Sequence, residues 1–102
     1  MISVITIGTV VDILKPNNLA TQATFPIEHF ERQKIGGKMQ NVAKRMKCAV
    51  SDKDMIMEMV KTVTYGTVIQ ISGELKEFKG EYFILIHSYS IQSQPEEGEK
   101  QV

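Results

Sequence analysis

One segment alone carries a helical repeat. In "SDKDMIMEMVKTV", residues 51–63, Met55, Ile56, Met59, Val60 and Val63 recur at the spacing of a single helix face. Ser51 is expected to cap its start, with Asp54 three residues on as an imperfect capping box. Acidic residues in the first turn and Lys61 near the end suit the helix dipole. The stripe is expected to pack into the core. The other apolar stretches alternate with period two or are β-branched throughout, so the chain is confined to mainly β folds with one helix.

Three strands are expected before the helix. Residues 2–14, "ISVITIGTVVDIL", are β-branched and apolar almost throughout. They read as a long, well-buried strand with a bulge or bend at Gly8. "KPNNLATQ" follows as a loop. "ATFPIEHFERQKI" and "KMQNVAKRMKCAV" alternate on either side of Gly36-Gly37, the signature of a long hairpin. Phe25 and Ile27 share one face of it, and Thr24, Glu28, Phe30 and Arg32 the other. Pro26 suits an edge or irregular position. On the return strand Met46, Cys48 and Val50 face inward, Arg45 and Lys47 outward. After the helix, Gly66 breaks the pattern, and "TVIQISGEL" and "YFILIHSYSIQ" are two further strands.

Three strands, a helix and two strands in about 90 residues is the plan of a five-stranded oligonucleotide/oligosaccharide-binding fold, a Greek-key barrel. Residues 1–94 are expected to form it. Residues 95–102, "PEEGEKQV", read as a polar, disordered tail.

The chain has zero net charge, but its charges are unevenly placed. Arg32, Lys34, Lys38, Lys44, Arg45 and Lys47 fall within sixteen positions that hold no Asp or Glu. A local cluster of this kind matters more than the total for binding a polyanion. A second stretch bearing lysines, "GELKEFKGEYF" at residues 73–83, joins the last two strands. It places Lys76, Phe78, Lys79 and Tyr82 where such barrels extend a loop over a bound single strand. Cations along a backbone and flat side chains for stacking are what single-strand binding requires. The outer face of the 24–47 hairpin would add Phe30, Arg32, Lys34, Lys38, Lys44, Arg45 and Lys47. The same lysines would also suit a hairpin that must not pair with its neighbours.

Nothing in the sequence supports catalysis. The two histidines, His29 and His87, lie at no metal-ligand spacing with the single cysteine, Cys48. His29 falls on the face of Phe25 and Ile27, so a half-buried, hydrogen-bonded imidazole is expected there. No phosphate-cradling glycine loop and no nucleophile turn occurs, and no catalytic residue, metal or cofactor is expected. One cysteine excludes an intramolecular disulfide and suits a reducing, cytoplasmic compartment. No apolar run approaches the roughly 18 residues of a membrane span.

"ITIGTVVDILK", "TFPIEHFERQ", "CAVSD", "VTYGTVIQISGELKE" and "FILIHSYSIQ" together resemble the bacterial primosomal replication protein N (PriB) family. The resemblance runs over about residues 2–93. The whole is also similar to bacterial single-stranded DNA-binding proteins. What it implies is a homodimer that binds single-stranded DNA without sequence preference during replication restart. Such a protein steadies the restart helicase on the fork and helps recruit helicase-loading proteins. The resemblance carries DNA contact to Lys15, to the surface around Ala43 to Lys47, and to the loop with Lys76 and Lys79. The family's best-known members place a tryptophan near the position of Ala43, whereas this chain has no tryptophan. Its last inter-strand loop is short, and Glu77 and Glu81 dilute its charge. Stacking would then pass to Phe30, Phe78 or Tyr82. The alternatives are a protein–protein adaptor with the same barrel and weak DNA contact, or a small phage or plasmid single-strand binder.

Overall fold

The computed structural model describes residues 2–17 and 21–95. Strands β1 (Ile2–Val10), β2 (Lys15–Pro16), β3 (Ala23–Ile35) and β4 (Lys38–Val50) precede helix α1 (Lys53–Thr62). Strands β5 (Val68–Phe78) and β6 (Glu81–Ser93) follow it. β1 pairs with β5, β5 with β6, β6 with β4, β4 with β3, and β3 returns to β1 at Thr9↔Glu28 and Val10↔Ile27. The five long strands therefore close into a ring, as the sequence plan requires. Every contact is antiparallel except β4–β6, the parallel pair that marks the Greek-key crossing.

The ring closes around one core. Val10, Phe25, Ile27, Cys48, Val50, Ile69, Ile71, Ile84 and Ile86 are buried in it. Ile56, Met59 and Val63 of the helix join the same cluster, each side chain contributing about 1.5–3 kcal/mol of transfer free energy. Cys48 faces inward as alternation indicates, and burial pushes its thiol pKa up to about 12. Val60 departs from the expected stripe and is exposed. The cap also differs. Asp52, not Ser51, holds the N-cap position, and its carboxylate accepts the Met55 N–H at 3.1 Å. The far end of the helix is tied to Gln94, the residue after β6. Gln94 donates to the Thr62 carbonyl at 2.9 Å, and its amide oxygen accepts from the buried Thr67 hydroxyl at 3.0 Å.

β1 is shorter and less buried than expected. Ile5 and Ile7 are 71 % and 52 % exposed, because only one face of the strand meets the core. No register shift occurs at Gly8; the irregularities lie at Val68/Ile69 and Ser72/Gly73, on β5 against β6. "KPNNLATQ" is not all loop either, since Lys15 and Pro16 pair with Thr24 and Ala23. Pro26 lies in β3 between the β2 and β1 pairings, where its missing N–H breaks no ladder contact; its carbonyl accepts from Val11. Of the tail expected at residues 95–102, all but Pro95 lies outside the described residues.

Two hairpins project from the ring. β3 and β4 meet at a two-residue turn in which Gly36 (φ +59°) and Gly37 (φ +83°) both take the left-handed conformation that such turns demand. Beyond Glu28, β3 has no buried side chain on either face. The second hairpin turns at Lys79-Gly80, which pairs Phe78 with Glu81. Arms of this kind account for dimensions of 49 × 45 × 20 Å.

Candidate nucleic-acid interface

Facing residues of an antiparallel pair put their side chains on the same side of the sheet, and successive residues alternate. The β3–β4 register therefore sorts the basic cluster. One face carries Thr24, Pro26, Glu28, Phe30, Arg32 and Lys34 on β3. Their β4 partners in the same order are Ala49, Lys47, Arg45, Ala43, Asn41 and Met39. The opposite face continues the core side and carries His29↔Lys44 and Ile35↔Lys38. Lys38 and Lys44 are thus separated from Arg45 and Lys47, against the expectation of one shared surface. A shift of one residue reverses a side chain's direction, and the sequence cluster spans both parities.

The β5–β6 hairpin is divided in the same way. Phe78↔Glu81 and Lys76↔Phe83 lie on one face, Glu77↔Tyr82 on the other. Phe78 and Tyr82 are both exposed, but they do not share a stacking surface. Lys79 sits in the turn at φ +53°, and its ammonium lies 5.3 Å from the centre of the Phe78 ring.

The two faces that hold Lys47 and Lys76 meet across a cleft of about 480 Å³. Lys47 and Ala49 line it from β4, and Thr24 with Gln22 from β3 and the residue before it. Lys76, Phe78, Glu81 and Phe83 close the other side, along with Glu77. Lys15 stands beside Thr24 on the same face. From this cleft the outer face runs up the β3–β4 arm past Arg45, Phe30, Arg32 and Lys34, at about 6.8 Å for every second residue. Phe30 is 67 % exposed and directly opposite Ala43.

Phe83 was not singled out by the sequence, nor were Gln22 and Thr24. The signal for Phe83 was present in the turn. A two-residue Lys-Gly turn fixes the register, and counting back from it sets Phe83 against Lys76.

Several cations of this surface already have carboxylate partners. Lys15 Nζ lies 3.2 Å from Asp12, Arg45 Nε 3.4 Å from Glu28 and Lys76 Nζ 3.4 Å from Glu74. A hydrogen bond from the Ile13 N–H, and then Lys15, hold the Asp12 carboxyl below its ordinary value. Burial acts to raise Glu74, but Lys76 and His87 together outweigh it, and its carboxyl also lies below the ordinary value. Among the described residues Lys47, Arg32 and Lys34 have no such partner. On the opposite face His29 is half-buried, as expected, with Nε2 3.3 Å from Glu31. His29 and Gln33 hold that carboxyl low. No group of three His, Cys, Asp or Glu that could hold a metal ion occurs among the described residues, and no helix there is long and apolar enough to cross a membrane.

No protein-family model matches the chain, and no curated protein matches it in sequence. Solved structures do match in fold. A Plasmodium falciparum SSB solved in complex with ssDNA superposes with a TM-score of 0.73 at 15 % identity, covering 91 % of this chain and 96 % of its own. The small single-stranded DNA-binding protein of Streptomyces coelicolor gives 0.70 at 13 % identity, with 89 % and 94 % covered. The protein PriB from Ralstonia solanacearum gives 0.67 at 10 % identity, with 91 % and 99 % covered. None of these is named as an enzyme. The chain shares the fold of single-stranded DNA-binding proteins, PriB among its neighbours.

Proposed function

We propose that this chain is a single-stranded DNA-binding accessory protein of the replication-restart primosome. It would steady the restart helicase on DNA and aid helicase loading. One observation carries the DNA part: Lys47, Lys76, Phe78 and Phe83 converge on one cleft. It continues onto an arm face bearing Phe30, Arg32 and Lys34. Cations follow the phosphates, and Phe30, Phe78 and Phe83 stack on bases. Phe30, opposite Ala43, takes the place of the absent tryptophan. The primosome role is drawn from the sequence resemblance and is supported by the likeness in fold to PriB.

The test is fluorescence anisotropy with a labelled oligo(dT) at two salt concentrations. Affinity should fall with salt, and Lys47→Ala should lower the slope of log K against log[salt] by about 0.7, one phosphate contact. Lys38→Ala and Lys44→Ala, on the other face, should change the slope less. An absence of binding at low salt would sink the proposal.

The ion pairs of Lys15, Arg45 and Lys76 favour a second reading, a protein–protein adaptor with weak DNA contact. In that case a helicase pull-down survives neutralisation of Lys47, Arg32 and Lys34.

A homodimer formed through β1 belongs to the same proposal. Ile5 and Ile7 are exposed on a strand whose second edge meets β3 only at Thr9 and Val10.

A further inference from the structure

Glu81 is out of place in a site built only for a DNA backbone. It lines the cleft and pairs in register with Phe78, so it shares the face of Lys76 and Phe83. No lysine, arginine or histidine lies within ion-pair distance of it among the described residues. A phosphate beside it would be repelled. A carboxylate is an acceptor only, and it gains most from an N–H donor held against it.

The rest of the cleft suits a flat heterocycle. Phe83 is half-buried and Phe78 exposed, which gives two ring surfaces. Gln22 and Thr24 add an amide and a hydroxyl on the far wall. A volume of about 480 Å³ falls within the roughly 300–1,000 Å³ of small-molecule sites. Lys47 and Lys76 can hold the flanking phosphates while the base lies between them.

We infer that the cleft is a base pocket in which Glu81 selects nucleobases bearing an exocyclic amine. Cytosine offers its N4 amine and adenine its N6 amine, whereas thymine presents the O4 oxygen at that edge. Cytosine, adenine and guanine can each donate an amine N–H to the carboxylate, whereas thymine has only its N3–H, flanked by two carbonyl oxygens that the carboxylate repels. The inference rests on the single-stranded DNA reading and adds a base preference to it.

The experiment compares equal-length, identically labelled dC and dT oligonucleotides at one salt concentration, with the wild-type chain and Glu81→Gln. Thermal melting establishes that the variant folds; Glu81 is exposed beside a turn. The glutamine keeps the shape, loses the charge and can donate to thymine O4. The ratio of dC affinity to dT affinity should fall by about fivefold in the variant, the worth of one net hydrogen bond. An equal gain for both oligonucleotides would show Glu81 to be only a repelling charge and would overturn the inference. An unchanged ratio overturns it as well, and in both cases DNA binding itself stands. Wild-type protein that binds neither oligonucleotide removes the underlying reading together with the preference.

Discussion

At the scale of the residue, Gly73 controls more than its neighbours do. The β5–β6 register slips beside it: Ser72 faces Ser88 while Gly73 faces Ile86, which leaves His87 unpaired. Before the slip the inward side chains of β6 are Ile84 and Ile86; after it they are Tyr89 and Ile91. The strand could not pass so close with a side chain at 73. An added Cβ would sit against the Leu85 carbonyl and 3.1 Å from the Ile86 Cα. Both obstacles are backbone and cannot rotate away. Gly73→Ala should therefore destabilise the fold by about 2–3 kcal/mol. Urea unfolding should show a lower midpoint with an unchanged slope. The alternation of "YFILIHSYSIQ" was legible in the sequence, but the bulge was not. A glycine marks a possible close approach without saying to what.

At the scale of the element, the helix was easy to read and its first residue was not. The apolar spacing of Ile56, Met59 and Val63 survives in the core because it follows from helix geometry alone. Ser51 and Asp52 are both good caps, and only the backbone decides between them. Asp52 is extended (φ −88°, ψ 119°) and its carboxylate reaches Met55. Asp52→Ala should cost about 1 kcal/mol in chemical denaturation, and Ser51→Ala no more than about 0.5 kcal/mol. A larger loss from Ser51→Ala than from Asp52→Ala would return the cap to Ser51. The long hairpin shows the converse limit. Its existence followed from Gly36-Gly37 between alternating segments, and alternation alone divides its lysines between two faces; the residue that stands opposite each one followed only from the register. Lys44 and Arg45, being adjacent on one strand, part to opposite faces whatever the turn holds.

At the scale of the molecule, one surface is too apolar for the outside of a small barrel. Ile5 and Ile7 lie side by side on the outer face of β1, next to an edge that β3 leaves largely open. Exposed strands of this kind pair with another chain unless something blocks them. Pairing through β1 in a second copy would cover both isoleucines and extend the sheet. Sedimentation velocity should give a dimer for the wild-type chain and a monomer for Ile5→Lys with Ile7→Lys. A wild-type chain that sediments only as a monomer would end the dimer proposal.

The sequence by itself determined the class of fold, the order of its elements and which residues could form the core. Those depend on local periodicity, which twelve or so consecutive residues are enough to display. It also supplied the chemistry of the candidate interface: the lysines, the arginines and the phenylalanines. Tertiary structure decided how they are grouped. It set Lys47 beside Lys76 and Phe83 across the cleft and placed Glu28 against Arg45. That grouping depends on register and ring closure, which join residues far apart in the chain. No local pattern encodes a distance between segments thirty residues apart.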